Sequence, residues 1–381
     1  MKNYILVLCA VAMFASCKDY TNPSFESSID FELDTLVVEG GIFPEDYQSF
    51  RYSTYSLGAD SVPFQLHYVL DDSLLLSFAL DGTERRLIPI PPLHSFPLYS
   101  IASNDSYLFF SEYEGHLYIC HNEGFKLDRQ LNDLSILKRD AMALHPMHGF
   151  NSGISVLNDS VLLLPIASNN SNQGKYGRID TKSPMFALYH LLTKETTYLN
   201  CWLPDHFLKY DHHTIHLRQS TLKGDTIFIH YPYRDSIDLF SVKQNKRIAT
   251  HSFKSQYQTE VIRGLQPRER KQSKIVGRYE VESGHYGSFI YNPFLNCYYR
   301  IFYHALPTKN DQHEFTIYSD KSSSIAVYDE LFRFMGEYKF ERGKPLFLGV
   351  SPTKEGVLLN SNLVHGLSEL KILHLKHNEN I

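Results

Sequence analysis

Short apolar runs recur along this chain, each bounded by polar turn residues, and long amphipathic helical patterns are scarce. Apolar or alternating runs of roughly four to eight residues between turn signals predict β-strands. Four segments share one opening, a polar turn ending in Asp-Ser or Asp-Thr and then an apolar run. They are LDDSLLLSFAL (70–80), SNDSYLFFSEY (103–113), LNDSVLLLPIA (157–167) and KGDTIFIHYPY (223–233). Their aspartates, Asp72, Asp105, Asp159 and Asp225, lie 33, 54 and 66 residues apart, so the longer gaps leave room for insertions. Three later segments read as a strand, a turn and a returning strand: FALYHLLTKETTYLNCWL (186–203), SIDLFSVKQNKRIATHSF (236–253) and SIAVYDELFRFMGEYKF (324–340).

A small antiparallel sheet cannot bury both faces alone, whereas sheets stacked radially cover one another and leave only short edges. The pattern therefore predicts an all-β chain arranged as a β-propeller. At roughly 40–60 residues per blade, the length supports six blades, or seven. The strongly apolar runs are expected to be first strands near the axis, and the alternating ones outer strands. A pair of β-sandwiches or a β-helix are the alternatives, and the unequal spacing argues against a regular solenoid. The 26 Tyr and 25 Phe agree with half-buried pleated surfaces. A single tryptophan, Trp202, excludes any blade repeat built on one Trp per unit.

The first residues, MKNYILVLCAVAMFASCKDY, break this pattern. Lys2 precedes an apolar run that ends at Ala15 and Ser16, directly before Cys17. The run is too short for a transmembrane helix, which needs about 20 apolar residues. It has the layout of a secretory signal, with Cys17 placed for lipidation. Residues 1–16 are thus expected to be removed, residues 17–30 to form a polar tether, and residues 31–377 to form the propeller. This implies an outer-membrane lipoprotein of the cell envelope, facing either the periplasm or the surface. An ordinary signal peptide with Cys17 near the cut is the plainer alternative.

Composition narrows the partners. The chain carries 37 basic and 42 acidic residues, a net charge of −5, which argues against nucleic acid and against anionic lipid as a peripheral surface. Cys9 leaves with the signal. Cys120, Cys201 and Cys297 are odd in number and widely spaced, so they read as small buried apolar residues rather than a disulfide framework.

Two features, the Cys17 start and the stretch YGSFIYNPFLNCYYRIFYHALP (286–307), resemble the TolB-like six-bladed propeller lipoproteins of Bacteroidota. That group is largely of unknown function. The resemblance implies a lipid-anchored propeller and no particular activity. Two departures stand out: Phe14 where many bacterial lipoproteins have Leu, and Asn292 where members often have Asp.

Within CYYRIFYH, strand alternation puts Tyr298, Arg300, Phe302 and His304 on one face. A cation in so aromatic a strand needs a partner or a wet cavity. Arg300 is therefore a candidate for an anionic or sugar ligand beside aromatic rings, or else an arginine paired or stacked between blades. Tyr298, His285, Tyr286 and Arg278 complete the candidate ligand site. The basic stretch 263–278 reads as a loop or short helix, over a binding mouth or simply solvated. His212 and His216 share a strand face and are candidate metal ligands, though no carboxylate is matched to them; His145 and His148 are similar coincidences. Glu112, Glu114, Asp235 and Asp238 are surface carboxylates. No GxSxG, HExxH or Gly-rich phosphate loop is present. No cofactor is expected.

These observations favour a non-catalytic surface propeller holding a glycan, peptide or partner protein. One alternative is a propeller enzyme, either a glycan lyase or hydrolase or a metal-dependent lactonase-like enzyme. Another is a structural subunit of an outer-membrane complex.

Overall fold

The computed structural model describes residues 27–37, the strands between residues 52 and 168, and most of residues 184–202, 219–258, 264–340, 349–360 and 369–377. Between residues 52 and 146 it describes strand backbone only. The signal segment and Cys17 lie outside the described residues, as do His212 and His216.

Among the described residues strands dominate, in six antiparallel sheets. The first strand, β1 (Ile29–Val37), closes a sheet with the last three, β24 (Gly349–Pro352), β25 (Gly356–Asn360) and β26 (Glu369–His377). Its register runs from Ile29 opposite His377 to Val37 opposite Glu369, so chain start and chain end hold each other. The intervening strands follow in order. β2 (Tyr52–Ser56), β3 (Gln65–Val69), β4 (Leu74–Ala79) and β5 (Arg86–Pro89) form one sheet. The next holds β6 (Pro97–Ser103), β7 (Ser106–Ser111), β8 (His116–His121) and β9 (Leu127–Leu131). A six-stranded sheet contains β10 (Leu137–Arg139), β11 (Met142–Pro146), β12 (Ser155–Asn158), β13 (Val161–Ser168), β14 (Phe186–His190) and β15 (Thr196–Tyr198). Then come β16 (Gln219–Lys223), β17 (Thr226–His230), β18 (Ser236–Ser241) and β19 (Lys246–Ser252). The best-described sheet is β20 (His285–Asn292), β21 (Cys297–Tyr303), β22 (Ser323–Tyr328) and β23 (Phe334–Lys339). First strands touch first strands between sheets: β2 meets β6 and β24, and β20 meets β16 and β24.

Because each of these sheets runs up and down, its connections fall at two ends. At one, the turn end, the links are short: 224–225, 242–245, 293–296 and 329–333. Left-handed backbone closes them at Gly224 (φ 59°), Asn245 (φ 49°), Asn296 (φ 50°) and Phe332 (φ 66°). Gly and Asn tolerate that region, and Phe does so at a cost. At the other, the loop end, lie residues 231–235 and the described parts of 253–284 and 304–322. Among the described residues the only α-helix, Ser273–Glu282, sits here.

All seven residues of β21 are buried. Alternation divides them between two cores. Cys297, Tyr299, Ile301 and Tyr303 pack with Ile325, Val350, Val357 and Leu373, toward the sheet of β24–β26. Tyr298 packs with Phe228, Phe253, Phe289 and Tyr328, toward the sheet of β16–β19. Each large apolar side chain fully removed from water contributes about 1.5–3 kcal/mol, so the faces between sheets hold the fold together. By contrast, no residue of the edge strand β19 is buried: Ala249 and His251 are half-buried and the rest exposed.

The hairpins expected at 186–203, 236–253 and 324–340 form as β14–β15, β18–β19 and β22–β23. One expectation is corrected. The Asp-Ser and Asp-Thr turns do not open first strands. Asp225 precedes β17, the second strand of its sheet, and Asp72 precedes β4, the third. Middle strands are paired on both edges and covered on both faces, which is why they carry the longest apolar runs. In addition, β1 starts at Ile29, two residues inside the stretch read as tether; Ile29 is 2% exposed and belongs to the core. Cys201 and Cys297 are buried; burial pushes the Cys297 thiol up to about 11.

Candidate functional site

The loop end of the β20–β23 sheet holds a cavity of about 910 Å³. Its walls come from residues far apart in sequence: Tyr257 and Gln258, Leu265 and Glu269, the helix, Phe302, and Ala305 to Thr308. The helix buries Tyr279 and Val281, and Ile275, Val276 and Tyr279 pack against Leu265 and Tyr233. Val281 O accepts a bond from Leu306 N (3.1 Å), which ties helix to loop. Gly284 follows because a Cβ there would lie 2.7 Å from the Phe302 ring. Arg278 lines the cavity and pairs with Glu282 (3.1 Å), one helical turn on. Thr308 also donates to Glu282.

Beneath the cavity lies a layer of buried polar groups. Arg300 is fully buried, with its guanidinium 3.7 Å from the Tyr286 ring centroid. It donates to the carbonyls of Arg234 (2.5 Å), Asp235 and Phe253 (3.1 Å), all in the neighbouring sheet's connections. Desolvation lowers the pKa of this arginine. Tyr286 Oη accepts from Ser255 N (3.1 Å) and donates to Gln258, a cavity residue. Glu337 accepts from Ser255 Oγ (2.6 Å), Gln256 N (2.8 Å) and Ser324 Oγ. Burial raises its carboxyl above the usual range. His304 Nε2 meets Ser324 Oγ at 3.1 Å, and burial takes it down to about 4.

A second buried group sits behind the helix terminus. Lys321 Nζ donates to Ser283 O (2.6 Å) and contacts His285 Nδ1 (3.3 Å), while His285 Nε2 meets Tyr318 Oη at 2.6 Å. While Lys321 is protonated it donates to Nδ1, which leaves the ring proton on Nε2, facing Tyr318. Desolvation takes Lys321 down to about 7 and pushes His285 well below the usual imidazole range. Burial, with the nearby Arg300 charge, does the same to His230, whose two ring nitrogens have no hydrogen-bond partner among the described residues.

The five candidate ligand residues are therefore not gathered in one wall. Arg278 faces the cavity. His285 and Tyr286 lie one layer behind it, both buried, and Arg300 is deeper still as a link between sheets. Tyr298 is at the turn end, where its hydroxyl meets Lys223 Nζ (3.3 Å). Asp238 is buried and paired with Arg234 (2.9 Å) rather than a surface carboxylate. Tyr257, Gln258, Tyr279 and Glu282 are not distinguished by the sequence alone. The one usable signal is the helical spacing of Arg278, the last residue of the basic stretch, and Glu282. Among the described residues no three His, Cys, Asp or Glu side chains group as metal ligands. Nor, among them, is any helix long and apolar enough to cross a membrane.

An all-β fold of six antiparallel sheets, with a loop-lined cavity at one end, defines the class of this protein. Its sequence over residues 94–339 matches DUF4221, a domain of unknown function, and the chain belongs to that family. It is similar in fold to a DUF4221 family member from Bacteroides vulgatus ATCC 8482, with TM-score 0.65, 16% identity, and 92% of this chain and 99% of that one covered. It is also similar to a candidate exported protein from Bacteroides fragilis NCTC 9343, with TM-score 0.52, 12% identity, and 94% and 98% covered. No curated protein matches it by sequence.

Proposed function

We propose that this protein is a lipid-anchored envelope protein, tethered through Cys17, that holds a ligand without transforming it. In this reading the six sheets are the blades of a TolB-like propeller, and β1 pairing with β26 closes the ring. The observation that carries the proposal is the cavity of about 910 Å³ among the inter-sheet connections. Ligand sites favour concave surfaces built from loops on a rigid scaffold, in a size range of roughly 300–1,000 Å³. Polar groups of both kinds converge there: the Gln258 amide, the Arg278–Glu282 pair and the Thr308 hydroxyl.

The test is a thermal-shift screen of the protein with candidate glycans and peptides, repeated with Leu306→Arg, which fills the cavity. A hit that stabilises the native protein and not the variant supports the reading. A hit consumed with turnover, above all turnover lost with a chelator, replaces it with the enzyme reading. Palmitate labelling that survives Cys17→Ser removes the anchor from the proposal.

A further inference from the structure

We infer that the ligand of this cavity is a polypeptide segment with apolar side chains and no net negative charge. This deepens the binding reading above and rests on it. Three observations converge on it.

The first is the wall chemistry. Leu265, Ile275, Leu306 and Pro307 line the cavity beside Tyr257 and Tyr279. This aliphatic part of the wall cannot bond sugar hydroxyls, and burying such groups unpaired costs free energy; the polar part, Gln258, Glu269, Arg278, Glu282 and Thr308, can bond a peptide backbone as well as a sugar. Apolar side chains gain from the same surface.

The second is a finger at the cavity rim, formed by residues 308–310 and 312–316. Thr308, itself a lining residue, accepts at its carbonyl from Thr316 N (3.0 Å), and Lys309 bridges to Phe315. Asn310 organises the tip: its Oδ1 accepts from Gln312 N (3.0 Å) and Glu314 N (2.9 Å), and its N–H donates to Glu314 O (2.9 Å). A finger so bonded is ordered before any partner arrives, which lowers the entropy cost of binding. Yet it presents Phe315 at 73% exposure and leads into Ile317 at 59%. Rigidly held, exposed apolar side chains next to a cavity mark a recognition surface. Thr308 joins the two features, as a lining residue of the cavity and the base of the finger, so a bound chain that leaves the cavity past Thr308 meets them next.

The third is charge. Two carboxylates, Glu269 and Glu282, and one guanidinium, Arg278, line the cavity. Next to the lining, Arg268, Lys274 and Lys309 balance Glu280, Glu314 and Asp320. The one excess carboxylate of the lining itself therefore suits a neutral or basic segment better than an acidic polymer such as a uronic-acid glycan.

The experiment titrates the whole protein with fluorescein-labelled hexapeptides carrying three apolar residues and one Lys. The same series with Asp for Lys, and neutral and uronic-acid hexasaccharides, are run in parallel. The Lys-containing apolar peptides are expected to bind, and the Asp series more weakly. The double variant Phe315→Ser, Ile317→Ser, whose side chains are exposed and whose melting temperature should not move, is expected to lose about tenfold or more in affinity. Hexasaccharide binding that Leu306→Arg abolishes and the double variant leaves unchanged would overturn the polypeptide assignment while keeping the binding reading. If no probe of either class binds, both fall.

Discussion

The two ends of the β20–β23 sheet solve the same problem, stopping a strand and sending it back, in opposite ways. At the turn end the chain reverses in a few residues, and a buried neutral side chain bonds both its own turn and the next sheet. Asn292 is the example. Its Oδ1 accepts from Phe294 N (2.9 Å) and Leu295 N (3.2 Å), and its amide donates to Tyr299 Oη (3.1 Å), Thr353 O (2.9 Å) and Gly356 O (3.0 Å). At the loop end the chain wanders through a helix and a finger, and the buried polar groups are ionisable ones: Lys321, His230, His285, His304 and Glu337. Burying such groups costs stability. The turn end is built to close the fold, and the loop end spends stability on a shaped, polar-floored cavity. That asymmetry places candidate function at the loop end more firmly than any single residue does.

The largest expected effect tests whether the loop end is where stability is held back. His230, His285 and His304 all have folded pKa values below the free imidazole value, with His304 at about 4. Below about pH 6.5 the unfolded chain takes up protons that the folded chain does not. Stability is therefore lost as pH falls from about 6.5 toward 4, by up to about 1.4 kcal/mol per pH unit for each histidine. Glu337, shifted upward by burial, works the other way just above its free value. Lys321, near 7 when folded, adds stability as pH rises from there toward its free value of 10.5. Urea unfolding between pH 5 and 8 should show a steep rise, on the order of 3 kcal/mol per unit in the acid half. A flat profile breaks the contrast between the ends.

Next in size is Arg300→Met. It removes the donors from three carbonyls and leaves them buried, which should cost about 3 kcal/mol. Arg300→Lys should recover only part of this, because one ammonium cannot reproduce the planar fork under the Tyr286 ring. A loss below about 1 kcal/mol in urea unfolding would mean that the guanidinium is replaceable and that the link between sheets lies elsewhere.

How much of this was legible in the sequence follows from distance along the chain. Hairpins such as β22–β23 were readable because turn and strands are contiguous. The order of strands was not: an apolar run announces burial, but Asp225 cannot say whether two or three partners lie beyond it. Arg300 announced itself as a buried cation, yet its acceptors lie 47 to 66 residues away. The cavity was hidden for the same reason, since it draws on residues from Tyr257 to Thr308. Lys321, in the run Asp320-Lys321-Ser322-Ser323-Ser324, reads as an exposed turn. Only the folded path of residues 304–322 sends its amine inward, to the carbonyl that ends the helix.

The smallest effect sharpens the comparison from the turn end. Asn292→Asp keeps the acceptor for Phe294 N and Leu295 N but aims a carboxylate at the carbonyls of Thr353 and Gly356. The two N–H groups shared among three acceptors are lost and the contacts with the two carbonyls become lone-pair repulsion in a fully buried site, at a cost of about 2 kcal/mol near neutral pH. The cost should shrink as pH falls, because the carboxyl introduced at position 292, once protonated, regains one donor and can satisfy one carbonyl. Its pH dependence is thus opposite in sign to that of the native loop end. The difference in unfolding free energy between native and variant, followed from pH 7 to 5, should narrow. If it stays constant, the site admits water, and the turn end is less tightly closed than its hydrogen bonds suggest.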